Sequence, residues 1–172
     1  MPSGKTHDRI TLWFLPWIVG GSLVLTRDGE LTLIVASAFL FSGLMFGPDL
    51  DIYSIQFKRW GMLRYLWLPY QKLFSHRSFF SHGLIIGTVI RLFYLLLVVF
   101  IIAVFFIAIA QLIWGFDWNW QTFFLEKTNR LKREYFREML VLFCGLELGA
   151  MTHSLSDIVS TVYKKRLKKK KP

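Results

Sequence analysis

Four short polar clusters interrupt an otherwise apolar sequence, and together they hold all four histidines of the chain. Histidine and aspartate are common ligands of divalent metal ions such as zinc, manganese and iron. The clusters contain seven residues of these two types that we predict as metal ligands: His7, Asp49, Asp51, His76, His82, His153 and Asp157. One tetrahedral ion takes four ligands, so seven candidates predict one ion or a pair bridged by a carboxylate.

The spacing inside two of the clusters suits coordination. His153 and Asp157 are four residues apart, which places them on one face of a helix with Cβ atoms about 5–6 Å apart. Asp49 and Asp51 follow Pro48, which ends a helix and leaves a loop where two carboxylates can bend toward one point. Each pair also has a simpler explanation, a buried hydrogen-bonded pair for the first and an ordinary turn for the second.

His76 and His82 are six residues apart, which would separate them on a continuous helix. We expect a turn at Ser81, acting as the N-cap of the following helix, to let both imidazoles converge. A single histidine such as His7 is also compatible with an ordinary polar position near a membrane surface. The metal prediction therefore depends on all clusters jointly.

Composition favours an all-α membrane protein. The 172 residues are 54% hydrophobic and only 19% charged, which is more apolar surface than a soluble core of this size buries. Four apolar segments are predicted to cross the membrane as helices: residues 10–25, 31–46, 84–114 and 139–162. We therefore expect an integral membrane bundle of about four transmembrane helices, although the first segment is short and contains Pro16.

The remaining segments are expected at the membrane surface. Residues 52–74 mix basic and aromatic side chains and are predicted to form an interfacial connector. Arg91, near the start of the third span, is expected to extend toward lipid head groups. Residues 1–163 are predicted to form one membrane-embedded metal-binding domain and residues 164–172 a basic cytoplasmic tail, for which membrane lipid is a more favoured partner than nucleic acid.

The distribution of Lys and Arg predicts that both termini lie on the cytoplasmic side. With four spans, every His and Asp cluster then reaches the same face of the membrane. If one span were absent, at least one cluster would lie on the opposite face. The topology therefore predicts convergence of the candidate ligands, although it was derived without them.

These motifs resemble known families. An early histidine, followed by the motifs at residues 48–51, 76–82 and 153–157, is similar to the membrane-bound metal-dependent hydrolases. The opening residues 2–8 and the stretch 47–52 resemble more closely a family of uncharacterised bacterial proteins described as metal-binding. The resemblance extends from His7 to Asp157, implies the same seven ligands, and implies a multi-pass protein of the bacterial inner membrane.

Two positions depart from the hydrolase pattern. Ile52 stands where that group commonly has a histidine, and Ile158 and Val159 continue the chain where the group often has a Thr-Pro turn. A missing ligand implies either one ion instead of two, or a site that binds metal without hydrolysing a substrate.

Three functions from different classes follow. The first is a metal-dependent hydrolase that acts on a phosphoester or lipid-like substrate at the cytoplasmic face, with Asp8 as the catalytic proton acceptor. Lys5, Arg9 and Arg77 would hold an anionic head group. The second is a non-enzymatic metal-binding or assembly protein, which the Ile52 departure favours.

The third function is a metal-free lipid phosphatase that works through a phosphohistidine. The turn at residues 2–4 and the spacing of His153 and Asp157 are similar to such enzymes, but their Arg-Pro phosphate clamp is missing.

The lone Cys144 excludes a disulfide framework and a thiolate zinc cluster. The sequence leaves the oligomeric state open.

Overall fold

The computed structural model describes residues 4–76, 78–117 and 119–169, with 161 and 163–169 described as backbone only. Eight α-helices follow one another along these residues: α1 (Gly4–Thr26), α2 (Gly29–Leu44), α3 (Ile55–Arg59), α4 (Leu68–Leu73), α5 (Phe79–His82), α6 (Ile86–Trp114), α7 (Trp120–Glu134) and α8 (Phe136–Lys169). Two 3₁₀ turns, Pro48–Asp51 and Gly61–Trp67, complete the regular structure. No strand occurs in the described ranges, so the all-α prediction is confirmed.

Four helical stretches are long and apolar enough to cross a membrane. They are Gly4–Thr26, Gly29–Asp51, Ile86–Trp114 and Phe136–Ser160, one for each of the four predicted segments. Helix α1 is longer than the predicted segment and continues through Pro16, so His7 lies inside the helix and not ahead of it. Asp28 accepts hydrogen bonds from the amides of Glu30 and Leu31 and so begins α2 directly after α1.

Helix α2 lies at the centre of the bundle, between α1 and α8. Gly145 and Gly149, four residues apart on α8, face this central helix at very short range. A Cβ atom added to Gly149 would lie 2.6 Å from the carbonyl oxygen of Phe39, and one on Gly145 would lie 2.5 Å from that of Val35. Helices that meet at paired small residues approach each other backbone to backbone. This contact brings the α8 cluster to the end of α2.

The connector at residues 52–74 is partly a core element. Phe57, Trp67 and Tyr70 are buried and pack with Phe46 and Leu50. Burial raises the pKa of the Tyr70 hydroxyl to about 12. These three side chains therefore lie in the protein core, which the sequence did not predict. The position of the connector at a membrane interface stays a prediction.

Arg91 also differs from expectation. Its guanidinium is buried and donates to the carbonyl oxygen of Ser81 at 2.7 Å and to the hydroxyl of Thr88 at 2.9 Å. It does not extend outward, because the chain breaks between α5 and α6 and leaves the Ser81 carbonyl without a helical partner. A buried guanidinium needs such acceptors, and the break supplies one.

Helices α7 and α8 end the described part of the chain. None of the residues of α7 is buried. Helix α8 continues to Lys169, so the predicted boundary between residues 163 and 164 falls inside a helix. Residues 170–172 of the predicted tail lie outside the described residues.

Candidate metal centre

All seven predicted ligands lie in one cluster at the end of the bundle. Helix α1 contributes one of them, the 3₁₀ turn after α2 two, the segment around α5 two and helix α8 two: His7, Asp49 and Asp51, His76 and His82, and His153 and Asp157. The structure thus brings together side chains separated by up to 150 positions. Their role as ligands remains a prediction.

One half of the cluster is formed by His7, His153 and Asp157, which are all buried. Each offers one ligand atom, and these atoms lie within 4.8 Å of one another. Nε2 of His7 is 3.3 Å from Oδ1 of Asp157. The imidazoles of His7 and His153 stack with centroids 3.9 Å apart. Stacking leaves the edges of both rings free to face the same point.

The other half is formed by Asp49, His76 and His82, whose ligand atoms also lie within 4.8 Å of one another. The two imidazoles are 5.2 Å apart between centroids. Asp51 lies beside them, with Oδ1 2.9 Å from Nδ1 of His76 and Oδ2 3.7 Å from Nδ1 of His82. Asp51 therefore orients these two rings as well as offering oxygens of its own.

Asp49 joins the two halves. Its Oδ2 is 3.2 Å from Nε2 of His153, and its Oδ1 is 3.8 Å from Nε2 of His82. The 3₁₀ turn places this carboxylate here, because Pro48 begins the turn shortly after α2 ends at Leu44. The arrangement is the one that a bridging carboxylate needs.

Every histidine of the chain is held through Nδ1. The partner atoms are Oγ of Ser156 for His7 at 2.6 Å, Oδ1 of Asp51 for His76 at 2.9 Å, Oγ of Ser81 for His82 at 2.9 Å, and Nε2 of Gln56 for His153 at 3.4 Å. A group bound to one ring nitrogen fixes the ring orientation and directs the other nitrogen to the metal. Here that other nitrogen is Nε2 for His7, His76 and His82. His153 differs, because the amide nitrogen of Gln56 can only donate and Nδ1 of His153 is therefore the acceptor.

The hydroxyl of Ser156 defines the tautomer of His7. Its hydrogen is donated to the carbonyl oxygen of His153 at 2.9 Å. A serine hydroxyl has one hydrogen, so it accepts the hydrogen of Nδ1 of His7. Nε2 of His7 then carries a lone pair, which is the form that binds a cation.

The buried polar atoms of the cluster fit a divalent cation. Seven of them lack a hydrogen-bond partner in the described part of the chain: Nε2 of His76, His82 and His153, Oδ1 of Asp49, Oδ2 of Asp51, and both carboxylate oxygens of Asp157. Unpaired buried atoms are costly, and seven of them converging on one place need a common partner. Nitrogen and oxygen donors of this kind suit zinc, manganese or iron.

The turn that lets His76 and His82 converge differs from the predicted one. Ser78, not Ser81, is the N-cap, and its hydroxyl accepts from the amide of Ser81. This cap begins the short helix α5, whereas α6 begins only at Ile86. The predicted cap at Ser81 is therefore wrong. Ser81 instead binds His82 through its side chain.

Two buried charged side chains hold the segment that carries His82. Arg91 of α6 donates to the Ser81 carbonyl, and Oε1 of Glu147 of α8 accepts from the amide of Ile85 at 2.9 Å. Ile85 has a φ of 63°, a conformation that a branched residue adopts only when its surroundings impose it. These partners were not predicted. A charged residue inside an apolar helix indicates that the side chain has a buried partner, but the sequence does not show which group that partner is.

Asp8, the predicted catalytic residue, forms an ion pair with Arg59, which is not one of the predicted metal ligands. Its two oxygens accept from Nη1 of Arg59 at 2.9 Å and from Nη2 at 2.6 Å. This interaction raises the pKa of Arg59. Asp8 also lines a cavity of about 20 Å³ together with His7, Asp49 and His153. A cavity of this size has room for about one water molecule.

The predicted head-group residues are not gathered at the cluster. Lys5 and Arg9 are exposed on the first turns of α1. Arg77 lies outside the described residues, as do Pro2 and Ser3 of the turn considered for a phosphohistidine mechanism. Ile52, where the hydrolase pattern has a histidine, is half-buried next to Asp51 and adds no ligand atom to the cluster.

Four apolar helices and a buried histidine–aspartate cluster define a helical metal-binding protein. The chain belongs to the family described as "Uncharacterized metal-binding protein (DUF2227)", whose model matches residues 2–167. A protein of Aquifex aeolicus (strain VF5) described as "Uncharacterized protein" is 36% identical over 58 residues. That alignment covers 33% of this chain and 40% of the relative. No solved structure matches the chain.

The family confirms the prediction of a metal-binding protein. That description does not include a relationship to membrane-bound hydrolases, the identity of the ion or a location in a membrane.

Proposed function

We propose that this chain is a multi-pass protein of the bacterial inner membrane. In this proposal it holds one or two zinc, manganese or iron ions at the cytoplasmic face and hydrolyses a phosphoester or lipid-like substrate there. The membrane part is supported by four helices of sufficient length and apolarity. It is also supported by α6, whose apolar side chains are largely exposed, such as Leu96 and Ile101 at 58% each.

The observation that carries the metal and hydrolase proposal is the common orientation of the four imidazoles. All four contact a neighbouring polar group through Nδ1. Nε2 of His7, His82 and His153 faces a carboxylate oxygen. Nε2 of His76, His82 and His153 is buried without a hydrogen-bond partner among the described residues. His7, His153 and Asp157 would hold one ion, and His76 and His82 a second. Asp49 would serve both. A bound divalent metal supplies a Lewis acid that polarises a phosphoryl or acyl group and activates water.

The chain's own residues have defined tasks in this proposal. Ser156, Ser81 and Asp51 keep the imidazoles in the tautomer that leaves Nε2 free. The cavity between His7, Asp49 and His153 has room for a single water beside the ligand atoms. Asp8 lines the same cavity and would accept the proton of that water. Lys5 and Arg9 supply positive charge for an anionic head group at the same end of α1.

The experiment begins with the purified full chain in detergent. Elemental analysis is expected to find a divalent metal in the wild type and less in His76→Ala and His153→Ala. A phosphomonoester and phosphodiester panel, with added manganese or zinc, then tests turnover. Metal without turnover on any substrate of the panel would contradict the hydrolase proposal, and wild-type metal content in both variants would contradict the metal site.

A second candidate is a non-enzymatic metal-binding or assembly protein. The Asp8–Arg59 ion pair favours it, because both oxygens of this carboxylate already accept hydrogen bonds from the guanidinium. The small volume beside the cluster also favours it, since about 20 Å³ admits water but not a phosphoester. The turnover panel distinguishes this candidate from the hydrolase.

A further inference from the structure

A long apolar groove runs between helices α1 and α8, directly beside the metal centre. Its volume is about 570 Å³, within the range of pockets that bind small ligands. Ile10 and Phe14 of α1 line one side, and Leu155 and Val159 of α8 line the other. From Thr6 at one end to Phe14 at the other, the lining of α1 extends about 12 Å.

The hydroxyl groups in this groove offer little to a polar occupant. Three serine and threonine side chains of α8 line it, and each donates its hydrogen within the helix: Thr152 to the carbonyl oxygen of Gly149, Ser156 to that of His153, and Ser160 to that of Asp157. The groove therefore presents methylene and methyl surface along most of its length. An apolar chain satisfies this surface, whereas a peptide backbone would lose hydrogen bonds there.

Among the side chains that the structure describes, positive charge lies beside one end of the groove. Lys5 and Arg9 are both exposed and directly precede the lining residues Thr6 and Ile10 in the first turns of α1. Four residues separate the two cations, so they share one face of the helix. Asp8 lies between them in sequence, but its charge is already paired with Arg59. An anionic group at this end would therefore meet uncompensated positive charge.

We infer that the groove between α1 and α8 binds an acyl chain of an anionic lipid, with the lipid head group beside Lys5 and Arg9. Ser156 connects this site to the metal centre, because it lines the groove and its hydroxyl contacts Nδ1 of His7. The inference rests on the proposed function where it names the substrate class, a lipid phosphoester whose tail lies in this groove. Binding of the lipid itself requires no turnover.

The test measures lipid retained by the full-length protein in mild detergent, using native mass spectrometry. Phosphatidylglycerol and phosphatidylcholine are added in turn at equal concentration. We expect the wild type to retain one phosphatidylglycerol at least tenfold better than phosphatidylcholine. Lys5→Gln combined with Arg9→Gln should remove most of this preference, whereas Arg27→Gln, at the opposite end of α1, should keep it. Equal retention of both lipids by the wild type would overturn the inference.

The apolar part is tested by filling the groove. Leu155→Trp is expected to lower retention at least tenfold, with Val159→Trp as a second variant if the first does not fold. Leu12→Trp is the matched control, because Leu12 is 54% exposed and Leu155 53%, but only Leu155 lines the groove. Equal losses in Leu155→Trp and Leu12→Trp would overturn the inference. If Leu155→Trp dissociates a dimer and does not lose lipid, the inference is also overturned, because the groove would then bind a second copy of this chain.

Failure of this inference is distinguishable from failure of the proposed function. Retention is measured without substrate turnover, and metal content is measured on the same samples. A protein that hydrolyses soluble phosphoesters but does not distinguish the two lipids contradicts only the inference. A protein that retains phosphatidylglycerol in the groove but hydrolyses nothing contradicts only the hydrolase.

Discussion

Asp49 places its Oδ2 3.2 Å from Nε2 of His153, which joins the turn after α2 to helix α8. Its other oxygen faces His82 on the opposite side. Asp49→Asn removes the negative charge and one of the two acceptor oxygens, so both halves of the cluster should lose affinity. Elemental analysis is expected to show a loss of all bound metal. Asp117→Asn, at an exposed position, is the control. An unchanged metal content in Asp49→Asn would show that this carboxylate is not a metal ligand.

The hydroxyl that orients His7 should matter without touching the ion. Ser156→Ala leaves Nδ1 of His7 without its 2.6 Å partner, so the ring is free to rotate or change tautomer. Groups in this position typically account for about 10–100-fold in metal affinity. Competition with a chromophoric chelator measures the effect. Ser22→Ala removes a comparable hydroxyl at the far end of α1 and should leave the affinity unchanged. Equal affinities in the two variants would refute the orienting role.

Arg91 should act on the metal through Ser81. Arg91→Met removes the donor to the Ser81 carbonyl and lets the segment that carries His82 relax. We expect a lower affinity at the half formed by Asp49, His76 and His82, with partial recovery in Arg91→Lys. Cobalt substitution provides the readout, because the visible spectrum reports the ligand geometry of each ion. A lower melting temperature with an unchanged cobalt spectrum would mean that Arg91 only stabilises the fold.

Asp8 separates the enzymatic from the non-enzymatic function. If Asp8 accepts a proton, Asp8→Asn should lower turnover about 10²–10⁴-fold while the metal content stays at the wild-type level. Arg59→Gln frees the carboxylate from its ion pair and should raise the activity, because both oxygens of Asp8 are then available to a water molecule. The rate of phosphoester hydrolysis per bound metal measures both effects. Wild-type turnover in Asp8→Asn would mean that a group other than Asp8 accepts the proton.

The close contact between α2 and α8 should be sensitive to a single methyl group. Gly149→Ala places a Cβ 2.6 Å from the backbone oxygen of Phe39, so the helices must separate, at a cost of about 1–3 kcal/mol. Thermal unfolding in detergent should show a lower melting temperature, together with weaker metal binding. Gly20→Ala is the control, since no atom lies within 4 Å of its added Cβ. It should be neutral or slightly stabilising.

Several features of the fold followed from local sequence. The four apolar stretches were predictable because length and hydropathy are properties of one segment, but their ends were not, since α1 and α8 both extend beyond the predicted limits. The same-face placement of His153 and Asp157 followed from helical periodicity. The Gly145-xxx-Gly149 pair was also readable as a helix-packing motif, although the prediction did not use it. In contrast, the burial of Trp67 and Tyr70 was not predictable, since basic and aromatic residues in a connector look alike in a core and at an interface.

By itself, the sequence determined the chemical set: four imidazoles, all within short polar clusters, and three aspartates of the same clusters. Only the tertiary structure decided the pairing. Which atom orients each imidazole, which carboxylate stands between the two halves, and where Arg91 turns all depend on which helix faces meet. Hydropathy and periodicity act within a segment, but a hydrogen bond depends on the relative position of two segments to within a few tenths of an ångström. Packing at glycines such as Gly149 sets that position.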